Sequence, residues 1–135
     1  MELVIDANIL FSALIKKGVT RELMLNDELN LFTPEYIIDE FFEHISEIEN
    51  KIHSRKYPLV NVLEELLTES KLSIVPLDDI RPYITEARKI SPDPDDALYF
   101  AAALKLKCGI WSNDKKLKNQ KYVDVYTTYD LIKML

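Results

Sequence analysis

Residues 95–112, DDALYFAAALKLKCGIWS, decide the fold class of this chain. Two acids open a stretch whose middle, from Ala97 to Leu104, is apolar on every side, which is typical of a helix packed between other elements. The residues from Cys108 to Ser112 then have the composition of a short buried strand. The stretch therefore predicts a central helix over residues 95–107, followed directly by a strand.

The same alternation of strands and helices extends over the rest of the 135 residues. The predicted strands span residues 3–5, 29–33, 72–75, 108–112 and 122–126. The other predicted helices span residues 9–14, 20–25, 34–52, 58–67, 82–89 and 128–135. Such an order favours right-handed crossovers and a mostly parallel sheet with helices on both faces, in one domain covering residues 1–135.

The long third helix has the clearest local signals. Thr33 is the expected N-cap, Pro34 the first helical residue and Glu35 an acid in the first turn. Its predicted apolar stripe is Ile37, Ile38, Phe41, Phe42, Ile45, Ile48 and Ile52. Polar residues 53–56 are expected to end the helix.

Composition excludes several classes of function. With 23 acidic and 17 basic side chains the net charge is −6, which argues against a generally basic nucleic-acid binder. Two glycines, Gly18 and Gly109, are too few and too far apart for a P-loop or a dinucleotide fingerprint. Cys108, the single cysteine, is expected to be a small buried residue in a strand, and His44 and His53 match no short zinc spacing.

Nothing in the sequence resembles a membrane or export segment. The longest wholly apolar run, residues 97–104, is far shorter than the ~18 residues that cross a bilayer. The opening Met1-Glu2 lacks the positive region of a signal peptide. We therefore expect a cytoplasmic protein.

Carboxylates stand where two predicted strands end and where the central helix begins. Asp6 ends the first strand, Asp114 follows the strand at residues 108–112, and Asp95 and Asp96 open the helix. Because the carboxyl ends of parallel strands meet at one edge of a sheet, we expect these acids to lie close together. A divalent cation relieves their repulsion, and oxygen ligands suit Mg²⁺ or Mn²⁺. The expected chemistry is metal-assisted hydrolysis of a phosphodiester.

A fourth acid is predicted from the third helix. Side chains on a helix lean toward its N-terminus, so Glu40 can project toward the same edge, but the spacing does not choose between it and Asp39 or Glu43. Asp93 is best explained as an N-cap. Ordinary structural roles also exist for the other acids taken singly: a turn cap for Asp114, favourable helix-dipole charges for Asp95 and Asp96, and a solvated face for Asp39, Glu40 and Glu43. The acids are therefore predicted as a set.

Two motifs in the first third of the chain point to a known family. Residues 4–8, VIDAN, end a strand in an aspartate, and residues 36–40, YIIDE, place a glutamate on the third helix. Both resemble motifs of the PIN-domain family, the fold of many metal-dependent ribonucleases, VapC-type toxins among them. The resemblance makes Asp6 the first acid of the family's metal site and Glu40 the second.

The second half of the chain resembles the same family. Residues 96–102, DALYFAA, are similar to the family's third acid and the small-residue helix behind it, and residues 112–114, SND, to its Thr-x-Asp motif. The resemblance makes Asp96 the third acid and Asp114 the fourth. By the same analogy Asp6, Glu40 and Asp96 hold the metal directly, while Asp114 acts through water or a second ion.

Three further residues have expected supporting roles. Ser112 supplies the hydroxyl of the Thr-x-Asp motif, and Asp95 is the near neighbour of Asp96. Asn8 is a departure, because many toxin members have serine or threonine there, although its amide can still hydrogen-bond a carboxylate or a water molecule. This departure weakens the prediction of a toxin role and does not affect the prediction of a nuclease.

The resemblance also implies an architecture and partners. It implies a three-layer α/β/α sandwich, Mg²⁺ or Mn²⁺ as cofactor, RNA as substrate, frequent homodimers and, for toxin members, a small antitoxin covering the active edge. The lysines that follow the first helix and Asp114 are either phosphate contacts or an ordinary solvated surface, namely Lys16, Lys17, Lys115, Lys116, Lys118 and Lys121.

Two alternatives remain open. One is a non-catalytic PIN-like module that binds RNA or a protein partner. The other is a receiver-type signalling domain, which shares the length and the alternating pattern. A receiver has adjacent acids after its first strand and a phosphoacceptor after its third, whereas here Asp6 stands alone and Pro76-Leu77-Asp78 follows Val75. Labelling of the protein by acetyl phosphate is the test that would identify a receiver.

Overall fold

The computed structural model describes residues 1–50 and 58–135 as strands alternating with helices. The strands, in chain order, are β1 (Glu2–Ile5), β2 (Asn30–Pro34), β3 (Leu72–Val75), β4 (Gly109–Trp111) and β5 (Val125–Tyr126). The helices are α1 (Ala7–Ile15), α2 (Val19–Met24), α3 (Glu35–Asn50), α4 (Leu59–Glu69), α5 (Leu77–Ile80), α6 (Ile84–Ile90), α7 (Ala97–Leu106) and α8 (Thr128–Met134). Short 3₁₀ turns lie at Arg81–Tyr83, Pro94–Asp96 and Lys115–Lys118.

Within these residues the five strands form one parallel sheet with the order β3-β2-β1-β4-β5. β1 is its centre, and Leu3, Val4 and Ile5 have no exposed surface. Ile5 is in register with Trp111, so the residues that follow β1 and β4 emerge side by side at the carboxyl edge. The predicted parallel sheet is confirmed. Receiver-like sheets have the order 2-1-3-4-5, so the strand order excludes the receiver alternative.

Helices cover both faces of the sheet and complete a three-layer sandwich. α7 packs on β1, β2 and β4 and contacts α5 and α6, while α1 packs with α2 and α4 in a separate group. Phe100, Ala101 and Ala102 of α7 have no exposed surface, because this helix is packed between the sheet and helices α5 and α6. The central helix inferred from the all-round apolar stretch is confirmed.

The start of the third helix differs from the prediction. Thr33 and Pro34 belong to β2, where Pro34 pairs with Val75 of β3, so they are not the N-cap and first residue of α3. Strand pairing overrides the local capping signal here. Phe42 is 51% exposed, so the apolar stripe is narrower than expected. Ile52 and the polar residues 53–56 lie outside the described residues.

Other boundaries move because distant partners set them. The sequence predicted no helix at residues 77–80, but α5 begins there, and Glu35 Oε1 accepts the N–H of Leu77 at 2.7 Å. β5 is shorter than the predicted strand 122–126. Cys108 precedes β4 and is half-buried, so its placement inside a strand was wrong.

No helix among the described residues combines the length and the apolar character that spanning a bilayer requires.

Candidate active site

Asp6 is the most enclosed acid at the carboxyl edge of the sheet, with 6% of its surface exposed. As the N-cap of α1, its Oδ1 accepts the N–H of Ile9 at 2.9 Å. Its Oδ2 accepts the hydroxyl of Ser112 at 2.5 Å, and the Ser112 oxygen accepts the N–H of Asp114 at 3.1 Å. The end of β1 is thereby joined to the end of β4. Sequence reasoning did not foresee the capping role of Asp6.

The acids of this edge act on one another electrostatically. Burial raises the pKa of Asp6 above its usual value, and the charge of Asp114 raises it further. Burial, followed by the charges of Asp93, Asp114, Asp6 and Asp95, raises the pKa of Asp96 to about 6. Asp96 thus lies within electrostatic reach of both Asp6 and Asp114, at the sheet edge where these acids were expected.

Asp95 and Asp96 lie in the 3₁₀ turn Pro94–Asp96 and differ in burial, which the sequence alone could not show. Asp93 accepts the N–H of Asp95 at 2.9 Å, which confirms its predicted capping role. Asp95 is exposed, whereas Asp96 is half-buried and faces the charges of Asp6 and Asp114. Both acids lie in the 3₁₀ turn rather than inside the α-helix, which begins at Ala97.

The remaining acid of this edge and the supporting amide lie at the surface. Asp114 is exposed, and its Oδ1 accepts the N–H of Lys116 at 3.0 Å, so it also caps the next 3₁₀ turn, as the turn-cap explanation predicted. Asn8 is exposed, and its backbone N–H, rather than its amide, bonds to Asp6. The structure therefore shows no contact from the Asn8 side chain to the acids.

Glu40 differs from its two acidic neighbours in burial. It is half-buried on α3, whereas Asp39 and Glu43 are exposed. The hydroxyl of Tyr36, one turn earlier, donates to the Glu40 carboxylate, and this bond raises the pKa of Tyr36. Burial thus favours Glu40 over Asp39 and Glu43, between which the spacing did not choose.

Tyr99 is a polar residue of this edge that sequence reasoning missed. It is 7% exposed, and its hydroxyl oxygen accepts the N–H of Ala7 at 3.0 Å. Burial holds the Tyr99 pKa well above its usual value, and the charges of Asp6, Asp96 and Glu40 add to this effect. Glu40 is therefore near enough to the other acids to act on the same hydroxyl. The available signal was a tyrosine, three residues after Asp96, in an otherwise apolar helix.

Comparison with known proteins identifies the family. A family model described as PIN domain matches residues 4–125. The chain belongs to the PIN-domain family. Its fold is similar to that of a chain in the crystal structure of VapBC2 from Rickettsia felis bound to a DNA fragment from their promoter. The TM-score is 0.69 at 16% identity, covering 94% of this chain and 98% of that one. A search of curated proteins finds no match.

The acids of this PIN domain offer only oxygen atoms, the ligand type that Mg²⁺ and Mn²⁺ prefer. None of Asp6, Glu40, Asp96 and Asp114 forms an ion pair with a lysine, arginine or histidine of the described residues. In the same part of the chain no three acidic, histidine or cysteine side chains already converge to hold one ion. Mg²⁺ usually binds through one or two carboxylates and keeps several waters, so this open oxygen-only set fits it.

The raised carboxyl pKa values predict how the stability of the metal-free PIN domain depends on pH. A carboxyl whose pKa is higher in the folded state opposes folding once ionised, so stability falls as pH rises from about 4 to about 6. Asp96 accepts no capping hydrogen bond, so Asp96→Asn removes this penalty without loss of a cap. We expect the Tm of Asp96→Asn, measured in EDTA, to exceed that of wild type by ~1–3 °C at about pH 7.5 and by less at about pH 4.5. A lower Tm for the variant at about pH 7.5 would contradict this prediction.

Proposed function

We propose that this PIN domain is an Mg²⁺- or Mn²⁺-dependent ribonuclease that hydrolyses phosphodiester bonds in RNA. PIN domains are typically nucleases and generally depend on divalent metals, which supports the proposal at the level of the family. The observation that carries it is the repulsive group of Asp6, Asp96 and Asp114, which has no cationic side chain paired to it in the described residues. Such a group is costly to keep unless a cation occupies it.

The residues have distinct proposed roles. By analogy with the family, Asp6, Glu40 and Asp96 would hold the ion directly once their side chains close around it, and Asp114 would act through water or a second ion. The chemistry supplied by a bound Mg²⁺ or Mn²⁺ is activation of water for attack and stabilisation of charge on the phosphate. Ser112 keeps the Asp6 carboxylate in one orientation through the 2.5 Å hydrogen bond to Oδ2.

The protonation state of Asp96 sets the pH range of this site. Its pKa of about 6 in the metal-free protein means that the carboxylate is ionised above this pH and available as a ligand. Below this pH, protons compete with the metal for the same oxygens. The proposed activity therefore belongs to neutral and mildly basic conditions, such as those of the cytoplasm, where we place the protein.

Local positive charge can bring RNA to an acidic protein, and two lysines are suited to this role. Lys115 and Lys116 are exposed directly after Asp114 and form no ion pair with described residues. Lys118 instead bonds to Asp130 at 2.9 Å. We propose that Lys115 and Lys116 contact the phosphates of the substrate strand. Lys16 and Lys17 come after the C-terminal end of α1, whereas Asp6 lies at its N-terminal end. They are therefore less suited to contact a substrate at the acids.

The proposed phosphate contacts of Lys115 and Lys116 predict a change in the salt dependence of RNA binding. Replacing Lys115 and Lys116 together by alanine removes two phosphate contacts, so the slope of log K against log salt becomes shallower by ~1.4. The affinity is measured in EDTA, where no cleavage is expected. Lys71→Ala is the matched control, because Lys71 precedes β3 at the opposite edge of the sheet. An unchanged slope in the double variant would contradict the proposed phosphate contacts of Lys115 and Lys116.

A protein partner is also proposed. The fold likeness to a chain of VapBC2, solved with promoter DNA, supports a toxin role with an antitoxin partner. We propose in addition that the chain forms a homodimer, as PIN domains often do. Asn8, which replaces the serine or threonine of many toxin members, stays the feature that bears against the toxin role.

Cleavage of labelled single-stranded RNA tests the proposed activity. We expect cleavage with Mn²⁺ or Mg²⁺ and none in EDTA. Metal binding is followed in parallel as a rise in Tm, because an ion that binds only the folded state stabilises it. A rise in Tm with no cleavage of several RNAs would favour the non-catalytic PIN-like module. Absence of both would contradict the carboxylate site itself.

A further inference from the structure

Tyr99 carries a hydroxyl where the packing of α7 requires none. Its helix neighbours are apolar: Phe100, Ala101 and Ala102 have no exposed surface, and Ala103 is 1% exposed. Tyr99 is only 7% exposed, so its ring is buried among these residues. A phenylalanine has the same ring and would fill the same space. The hydroxyl therefore needs an explanation other than core packing.

The hydroxyl joins two elements that carry site acids. Tyr99 lies three residues after Asp96, so both lie on one face at the start of α7, and helical side chains lean toward the N-terminus. Its oxygen accepts the N–H of Ala7 at 3.0 Å, and Ala7 directly follows Asp6. One side chain thus connects the backbone beside Asp6 to the turn that bears Asp96.

The donating side of this hydroxyl lies within electrostatic reach of the acids. A phenol both accepts and donates, and here the accepting side is used by Ala7. Among the described residues no protein group accepts the proton, while the charges of Asp6, Asp96 and Glu40 all act on the oxygen. Burial and these charges raise the pKa of Tyr99, so the group stays a donor throughout the working pH range.

We propose that Tyr99 is a positioning residue of the acidic site, which fixes the separation of Asp6 and Asp96 through Ala7 and presents its hydroxyl proton to the site carboxylates. The inference rests on the proposed function, because it assumes that these acids bind a divalent ion together. Polar groups that orient metal ligands typically contribute 10–100-fold to metal affinity. Removing the hydroxyl therefore loosens the site without removing any ligand.

The test compares the Mn²⁺ dissociation constant and the Tm of Tyr99→Phe with those of wild type. We expect Mn²⁺ affinity to fall about tenfold or more. Tyr126→Phe is the control, because Tyr126 is a half-buried tyrosine on β5 whose ring lies against Gly109 at the start of β4. It should leave the affinity unchanged. A fall in Tm of Tyr99→Phe with Mn²⁺ affinity within about twofold of wild type would show a purely structural tyrosine and overturn the proposal.

A second measurement uses only wild-type protein, so it tests the proposal even if Tyr99→Phe does not fold. In wild type, addition of Mg²⁺ should shift the NMR resonance of the Ala7 amide, because its acceptor is part of the site. An unchanged Ala7 resonance while Mg²⁺ binds would overturn the role of Tyr99 and leave the proposed function standing. Absence of Mn²⁺ binding by wild type would overturn both.

Discussion

Asp96→Asn is expected to lose metal-dependent cleavage of RNA by at least about a hundredfold, because a bound ion contributes several kcal/mol to stabilising the reacting phosphate. Asparagine keeps the size of the side chain and removes its charge. The initial rate of cleavage at saturating Mn²⁺ measures the effect. The loss should come from chemistry rather than unfolding, since the same substitution is expected to raise the Tm of the metal-free protein.

Asp95→Asn is the matched control for this prediction. It removes the same charge one residue earlier, from an exposed side chain in the same 3₁₀ turn. We expect its rate to stay within a few-fold of wild type. Cleavage retained in Asp96→Asn would show a contaminating ribonuclease or a different site, and a greater loss in Asp95→Asn would exchange the roles of the two acids.

Glu40→Gln is expected to produce the second large loss, about a hundredfold in rate or a comparable fall in Mn²⁺ affinity. Glu40 is half-buried and acts on the Tyr99 hydroxyl together with Asp6 and Asp96. Glutamine can still accept the hydrogen bond from Tyr36, so the local structure should persist.

Glu43→Gln provides the comparison on the same helix. Glu43 is exposed, and we expect nearly unchanged cleavage from this variant. Equal activity of Glu40→Gln and wild type would remove Glu40 from the site. Loss in Glu43→Gln alone would show that helix α3 presents a different acid to the substrate.

The fold and the set of strand-end acids could be predicted because both follow from local pattern. The all-round apolar stretch before Cys108 indicated a central helix, and parallel strands necessarily bring Asp6 and Asp114 to one edge. Burial then favoured Glu40 and Asp96 over their neighbours, which spacing could not do. Their roles in metal binding stay predictions.

The details that escaped prediction depend on residues far apart in the chain. Ser112 was predicted as a supporting hydroxyl, but its partner Asp6 lies 106 residues away, and the bond from Ala7 to Tyr99 spans 92 residues. Neither separation leaves a local pattern in the sequence. The N-cap signal at Thr33 failed for a related reason, because pairing with β3 extends β2 through Pro34.

The most direct test of the metal site is anomalous diffraction from crystals grown with Mn²⁺. We expect an anomalous peak at the carboxyl edge of the sheet, contacted by the carboxylates of Asp6 and Asp96. A fully occupied peak elsewhere, or no peak at millimolar Mn²⁺, would contradict it.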